Sequence, residues 1–344
     1  MHNVTAPTTG IPQPRDSAWA TARPLRVSVV IPVYRGELTL ESLLQQIESI
    51  ASEHVTPAGH RVEICEVLLV HDCGPDRSDL TIQRLAELHH FVRPIWLSRN
   101  YGQHAATLAG MAGAVGDWVA TLDEDQQHDP RYLNAMIDTA IAENLQVVYA
   151  RPTNAAPQAW WRNAASRLAK TLANFLMGEP TTGHFSSFRL VQGEIARSLA
   201  AYCGSGVYLD VALRWIVATV GFCPVQLQTR QTRPSGYSLR RLLHHFSVLV
   251  LTSGARPLRF ISLMGLASIG LAGVIAGYAL YAKLSGKVPV AGWTSLIIVI
   301  VFFSGCILTA LGVIAEYLAL TVSISMGKPL YVVTTSPTRY RKQK

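Results

Sequence analysis

Trp118-Val119-Ala120-Thr121-Leu122-Asp123-Glu124-Asp125-Gln126-Gln127 decides how this chain is read. A short apolar run bounded by polar residues is a buried strand. Here three carboxylates follow at its carboxyl end. The same arrangement repeats outward in both directions. Upstream, Val27–Pro32 reads as a strand, followed by a helix with Leu40, Leu43, Leu44, Ile47 and Ile50 on one face. Ile64–Val70 and Val92–Leu97 are further strands, with helices at Thr81–Leu88 and Gln103–Val115. Downstream come a helix at Arg131–Glu143 and a strand at Val147–Ala150. Strict alternation of strands and helices predicts an α/β fold with a mostly parallel sheet covered on both faces. Such sheets bind ligands at the carboxyl ends of their strands.

Three polar clusters fall at those ends. In Asp123-Glu124-Asp125 the two aspartates are separated by one residue, a spacing whose hard oxygens suit Mg²⁺ or Mn²⁺. These ions bind through one or two carboxylates plus substrate phosphates. The competing reading is an acidic helix N-terminus stabilised by the helix dipole. Asp72, in His71-Asp72-Cys73-Gly74-Pro75-Asp76, can accept a hydrogen bond from a base or ribose, or can simply form a turn. Arg99 and Asn100 follow the third strand, where they can meet phosphate or ribose, or line a solvated loop.

Charged residues make up 15% of the 344-residue chain, well under the ~25% usual for soluble domains. The deficit is local. No Asp, Glu, Lys or Arg occurs over the 23 residues Phe260–Ala282, nor over the 28 residues Val288–Ala315. Each run exceeds the ~20 residues a bilayer-crossing helix needs. A simple cytosolic enzyme is thereby excluded. The net charge of +8 comes largely from arginines before the first run and from Lys328, Arg339, Arg341, Lys342 and Lys344 after the second. Positive flanks stay cytoplasmic, so both ends of the hairpin should face the cytosol. Anionic headgroups and a phosphate-bearing substrate explain this charge better than nucleic acid does. The five cysteines form no C-x-x-C pair, which fits a reducing compartment.

Boundaries follow from these shifts. Residues 1–24 are a disordered tail without a signal-peptide pattern, and 25–237 the α/β domain, including a basic amphipathic helix over 157–177. Residues 238–257 form a juxtamembrane helix, with Leu239, Leu242, Leu243 and Phe246 on one side and Arg240, Arg241, His244 and His245 on the other. An apolar stripe backed by basic residues fits a helix lying in the membrane interface, or one packed on the soluble domain. Two transmembrane helices occupy 258–318, and 319–344 is a cytoplasmic C-terminal segment.

Taken in order, Val29-Val30-Ile31-Pro32-Val33-Tyr34, the Asp72 turn, Ser98-Arg99-Asn100-Tyr101-Gly102-Gln103-His104-Ala105-Ala106 and Leu122–Gln127 resemble the inverting glycosyltransferases of the GT-A (Rossmann-like) fold. Ala315-Glu316-Tyr317-Leu318 and Gly327-Lys328-Pro329-Leu330-Tyr331, after the hairpin, are similar to the bacterial polyprenyl-phosphate glycosyltransferases, relatives of dolichyl-phosphate-mannose synthase. Arg99–Ala106 is nearest the undecaprenyl-phosphate aminoarabinose transferases.

The resemblance implies a UDP-sugar donor, an undecaprenyl-phosphate acceptor, Mg²⁺ or Mn²⁺, and a multi-pass protein of the bacterial inner membrane with its catalytic domain in the cytoplasm. Homo-oligomerisation stays an open option. Pro32, Tyr34, Glu37, Asp72, Arg99, Asn100 and Asp123 would border the donor nucleotide. Asp123, Asp125 and Gln127 would hold the metal and diphosphate. Asp125, Arg151, Arg162, Ser166 and Arg230 would form the catalytic set, with Arg151, Arg162 and Ser166 at the phosphates of donor and acceptor and Arg230 joining Ser235 and Tyr237 in a basic acceptor loop ahead of the juxtamembrane helix. Arg189, in Phe188-Arg189-Leu190, would be structural.

The chain departs from the family pattern at four places. His71-Asp72 replaces paired acids, Cys73-Gly74 replaces Gly-Ser, Ser187 replaces the acid before Phe-Arg-Leu, and Arg233-Pro234-Ser235-Gly236-Tyr237 replaces Gly-x-Ser-Lys-Tyr. Two rival readings are a processive polysaccharide synthase, whose Gln-x-x-Arg-Trp motif survives only as Arg214-Trp215, and a non-catalytic membrane scaffold with a degenerate nucleotide domain.

Overall fold

The computed structural model describes residues 23–154, 186–204, 208–228 and 293–337, with scattered positions between 265 and 285. Its strands are β1 (Leu25–Val33), β2 (His54–Val55), β3 (Arg61–His71), β4 (Val92–Leu97), β5 (Trp118–Thr121), β6 (Val147–Pro152), β7 (Arg189–Gln192), β8 (Val220–Val225) and β9 (Val333–Thr334). The helices are α1 (Leu40–Glu48), α2 (Ser78–Leu88), α3 (Gln103–Gly113), α4 (Tyr132–Ala142), α5 (Gly193–Tyr202), α6 (Leu209–Ile216) and α7 (Trp293–Ser325).

Successive strand residues point to opposite faces, so a strand covered on both sides reads as a continuous apolar run. In β1, Val27, Val29, Ile31 and Val33 pack with α1, α2 and α4, while Val30 joins Leu68 and Val70 beneath α3, α5 and α6. Helix α3 lies close on β1: a Cβ added at Gly110 would stand 2.2 Å from Val30 Cγ1. These two layers of helices fix the sheet between them.

The sheet runs β8-β6-β7-β5-β1-β3-β4-β9, with β2 paired to β3. Its centre is parallel, β5-β1-β3-β4, as alternation of strands and helices requires. The remainder is mixed. β7 pairs antiparallel with both β5 and β6, and β6 pairs parallel with β8. The expected mostly parallel sheet is therefore corrected to a mixed one, of GT-A-like α/β architecture. The cause is local: β7 returns after the segment 155–185 in the opposite sense, which no hydrophobic period in the sequence encodes.

The C-terminal segment contributes an edge strand. In β9, Val333 pairs antiparallel with Leu97 and Thr334 with Trp96, while the Ser98 N–H donates to the Val332 carbonyl at 2.9 Å. Leu330 and Tyr331 pack on the core below α3. The chain thus leaves α7 and comes straight back to the carboxyl end of β4.

Helix α7 has 33 residues, and its stretch Phe302–Ala319 is long and apolar enough to cross a membrane. Large apolar side chains stay exposed along it, among them Ile307, Leu308, Leu311 and Leu318. Of the first apolar run only scattered positions are described, those from Gly265 to Leu284 having helical backbone. Among the described residues there is one candidate span, so the expected two-helix hairpin is not established. The tail before residue 23 and the amphipathic segments 157–177 and 238–257 lie outside the described residues.

Candidate active site

The carboxyl ends of β1, β3, β4, β5 and β6 open on one edge of the domain, and backbone-to-carboxylate bonds lace their loops together. Glu124 accepts from the backbone N–H groups of Tyr34 (3.0 Å) and Arg35 (2.9 Å). Burial lifts its carboxyl to about 7, against the opposing pull of those two N–H bonds. Glu37 and Asp76 brace the neighbouring loops reciprocally. The Glu37 N–H donates to Asp76 Oδ2, and the Arg77 N–H donates to Glu37 Oε2, both at 3.1 Å. The loop after β3 has no room to spare, because a Cβ at Gly74 would fall 1.7 Å from the Tyr34 carbonyl oxygen.

Asp72 is buried, and its two oxygens accept from the backbone N–H groups of Tyr101 (2.7 Å) and Gly102 (2.8 Å). Burial raises its carboxyl to about 6, the two N–H bonds offsetting part of that rise. It therefore clamps the loop between β4 and α3. Gly102, at φ +91, lets that loop turn into the helix. Arg99 and Asn100 are exposed, with the Arg99 guanidinium 4.7 Å from the Tyr101 ring centroid.

Asp123 receives the Gln103 amide on Oδ1 and the Ser187 hydroxyl on Oδ2, both at 2.5 Å. Burial raises its carboxyl; Ser187 and Arg189 pull it down, and Asp125 pushes it further up. Asp125 Oδ1 accepts from the Gln127 N–H at 3.2 Å, closing a turn in which Gln126 takes φ +60. The Gln127 carbonyl accepts from the Gln228 N–H at 2.9 Å, tying the acidic loop to the strand end of β8. Arg151 projects exposed from the end of β6. The His128 imidazole, edge-on to Phe188, is depressed by burial.

Beside Asp123 lies a cavity of about 200 Å³. Pro32 and Leu122 close it at the strand ends, the first turn of α3 supplies Gln103, His104 and Thr107, and the starts of β7 and α6 supply Arg189 and Asp210. Arg189 and Asp210 are buried and pair at 2.8 Å. The Tyr149 hydroxyl donates to Asp210 at 2.9 Å. Burial pushes the Asp210 carboxyl up, while Arg189 and Tyr149 draw it down.

The structure thus groups Pro32, Tyr34, Glu37, Asp72, Asp123, Asp125 and Gln127 around one edge, with Arg99, Asn100 and Arg151 at its rim. Arg162, Ser166, Arg230, Ser235 and Tyr237 lie outside the described residues. Sequence reasoning gave no role to Glu124, Asp76, Gln103, His104, Tyr208 or Asp210. For Asp210 a signal existed: a carboxylate interrupting the apolar run Tyr208-Leu209-Asp210-Val211-Ala212-Leu213. An acid buried there must be paired.

Among the described residues no group of three or more His, Cys, Asp or Glu forms a metal cage. The oxygen donors at Asp123 and Asp125 fit instead a hard divalent cation completed by substrate phosphates and water.

The family model described as Glycosyl transferase family 2 matches residues 28–199. The chain is 31% identical over 313 residues to undecaprenyl-phosphate 4-deoxy-4-formamido-L-arabinose transferase of Pseudomonas paraeruginosa, covering 89% of each. It is 27% identical to the uncharacterized glycosyltransferase YkcC of Bacillus subtilis, covering 92% of this chain and 95% of that one. Among solved structures, glucosyl-3-phosphoglycerate synthase of Mycobacterium tuberculosis, in complex with Mn²⁺, UDP and glucosyl-3-phosphoglycerate, is similar at TM-score 0.48 with 17% identity, over 67% of this chain and 80% of that one.

Proposed function

Since this chain belongs to glycosyl transferase family 2, and is therefore a glycosyltransferase, we propose that it transfers a sugar from a UDP-sugar to undecaprenyl phosphate, with inversion, at the cytoplasmic face of a bacterial inner membrane. The observation that carries this reading is the route of the chain after α7. Ser325, the last residue of that apolar helix, is joined to Val333, paired beside Leu97 on β4, by a turn at Gly327 (φ +64). Eight residues reach at most ~29 Å. A bilayer-seated α7 therefore keeps the edge bearing Asp72 and Asp123 near headgroup level. The relative named as an undecaprenyl-phosphate transferase, aligned along 89% of the chain, supports the same acceptor.

A phosphate monoester has its second pKa near ~6 and is largely ionised at neutral pH. Its oxygen attacks the anomeric carbon with little need of a general base, and the nucleoside diphosphate leaves from the opposite face. The protein's task is alignment and charge compensation. Glu124, Asp72 and the Glu37–Asp76 brace hold the donor loops at fixed separation. Gln103 and Ser187 fix the Asp123 carboxylate. Arg151 adds positive charge at the rim, and Arg162, Ser166 and Arg230 meet the phosphates of donor and acceptor. Asp123, Asp125 and Gln127 would hold a divalent cation, Mg²⁺ or Mn²⁺, which when bound would neutralise charge on the leaving diphosphate.

Asp125→Ala tests this directly. The variant should stay membrane-bound and folded while transfer falls by roughly three decades, as expected for losing ~4 kcal/mol of transition-state stabilisation. Unchanged transfer would remove Asp125 and the cation from the mechanism.

A further inference from the structure

Four side chains on the loops after β1 and β3 have no part in the chemistry above: Arg35, Leu38, Arg77 and Leu80. The Glu37–Asp76 brace joins the two loops, and each of the four stands within two residues or one helical turn of it. Leu38 and Leu80 are 78% and 47% exposed, and both arginines are exposed as well. Single exposed leucines are ordinary on a protein surface. These two share theirs with unpaired cations. At the opposite, amino edge of the sheet Arg23, Arg26, Arg61 and Arg93 each meet a carboxylate, on Asp117, Glu63, Glu53 and Glu66 in turn. Among the described residues neither Arg35 nor Arg77 has an ion pair, and the Arg35 guanidinium lies 5.6 Å from the Tyr34 ring centroid. The loop acids are engaged from within, since Glu124, Glu37 and Asp76 accept backbone N–H groups of the same two loops.

Strand order places this patch relative to α7. β9 brings the chain from α7 to β4, and β3 and β1 follow at about 4.8 Å per strand. The patch therefore stands roughly 10–14 Å along the carboxyl edge from that attachment. Leu330 and Tyr331 pack with α3, α5 and α6 on one face of the sheet, whereas Leu38 and Leu80 stand at the starts of α1 and α2 on the other.

We propose that this patch is a second contact between the catalytic domain and the bilayer, one that takes anionic phospholipid headgroups. Leu38 and Leu80 enter the interface, and Arg35 and Arg77 meet lipid phosphates. The proposal rests on the membrane seating inferred above from α7. Apolar side chains flanked by basic ones bind an anionic bilayer surface. Attachment at β9 alone limits how far the carboxyl edge can stand from the bilayer and leaves its tilt open. A second attachment on the other face of the sheet fixes the tilt.

The test is photocross-linking of the full-length protein in liposomes of phosphatidylcholine, with or without phosphatidylglycerol. p-Benzoylphenylalanine replaces one residue at a time: Leu38, Leu80, Leu311 in α7, or Leu88, which is 66% exposed at the far end of α2. With phosphatidylglycerol present, lipid adducts at Leu38 and Leu80 should exceed those at Leu88 at least ~5-fold. Arg35→Glu combined with Arg77→Glu should lower them at least ~5-fold and leave adducts at Leu311 unchanged. Raising salt on the unsubstituted arginines should lower the same adducts, because screening weakens surface attraction.

Adducts at Leu38 and Leu80 no higher than at Leu88, with Leu311 reacting, overturn the patch and leave the membrane reading standing. Adducts indifferent to phosphatidylglycerol, to salt and to the arginine exchange overturn the headgroup contact. Cross-links to a second copy of the chain in place of lipid overturn the lipid assignment and make this face an interface between copies. Absence of lipid adducts at Leu311 removes the membrane seating itself and the proposal with it.

Discussion

Replacing Asp72 by Asn separates the two things its carboxylate does. It accepts two backbone N–H bonds, at 2.7 and 2.8 Å from Tyr101 and Gly102, and it pays for burial with a carboxyl raised from 3.8 to about 6. The sign follows from linkage. The folded state holds this proton more tightly than the unfolded chain, so the group's contribution to stability is greatest below 3.8. It falls as pH rises toward 6 and is level above that. Between pH 5 and 7.5 the fall integrates to about 1.4 kcal/mol, nearly all of it below pH 7. Asparagine does not titrate and lacks this slope. It keeps one acceptor oxygen and turns its NH₂ toward the second N–H, which costs about 1–3 kcal/mol at every pH. Asp72→Asn should therefore be less stable than wild type at pH 5, with the gap closing by about 1.4 kcal/mol by pH 7.5. In a domain of this size that is a relative shift in melting temperature of roughly 3–6 °C. Melting curves of the two purified proteins in the same detergent, at both pH values, give the number. A gap independent of pH would refute the assignment of the raised carboxyl to Asp72. A gap that widens with rising pH would refute its sign.

Three other outcomes are expected. Thr334→Pro removes a ladder donor from β9, which a proline cannot replace; lipid transfer should fall about tenfold or more, with UDP affinity unchanged, and equal losses in both would make β9 a general stability element. Arg162→Ala should raise the KM for the lipid phosphate about tenfold or more while sparing that for the donor, and unaltered acceptor kinetics would exclude the phosphate contact. In sealed vesicles of known orientation, protease should reach both Tyr237 and Lys344 from the cytoplasmic side; access from opposite sides would mean an odd number of spans.

Much of the fold was legible because both sides of the central sheet are apolar. Val92–Leu97 coincides with its predicted strand, and the other eight elements predicted between Val27 and Ala150 agree with the structure to within a few residues at either end. β7 and β9 were not legible as sheet partners. Their positions rest on long-range pairing, Arg189 with Thr121 and Val333 with Leu97, which leaves no local period. The site divides in the same way. Asp72 and Asp123 stand at strand ends and were visible as candidates from alternation alone. What holds them was hidden, since Tyr101, Gly102 and Ser187 act across 29, 30 and 64 positions. Glu124 was visible only as one acid in a cluster, and its clasp on the β1 loop required coordinates.

Lipid-linked transfer is the most direct test of the central claim. Membranes containing the full chain are incubated with undecaprenyl phosphate, a divalent cation and a panel of radiolabelled UDP-sugars, then extracted with organic solvent. For at least one sugar, label should enter the organic phase as a mild-acid-labile lipid, and Asp125→Ala membranes should fail to produce it. Label that stays wholly aqueous for every sugar, or that enters lipid equally with Asp125→Ala, would contradict the claim.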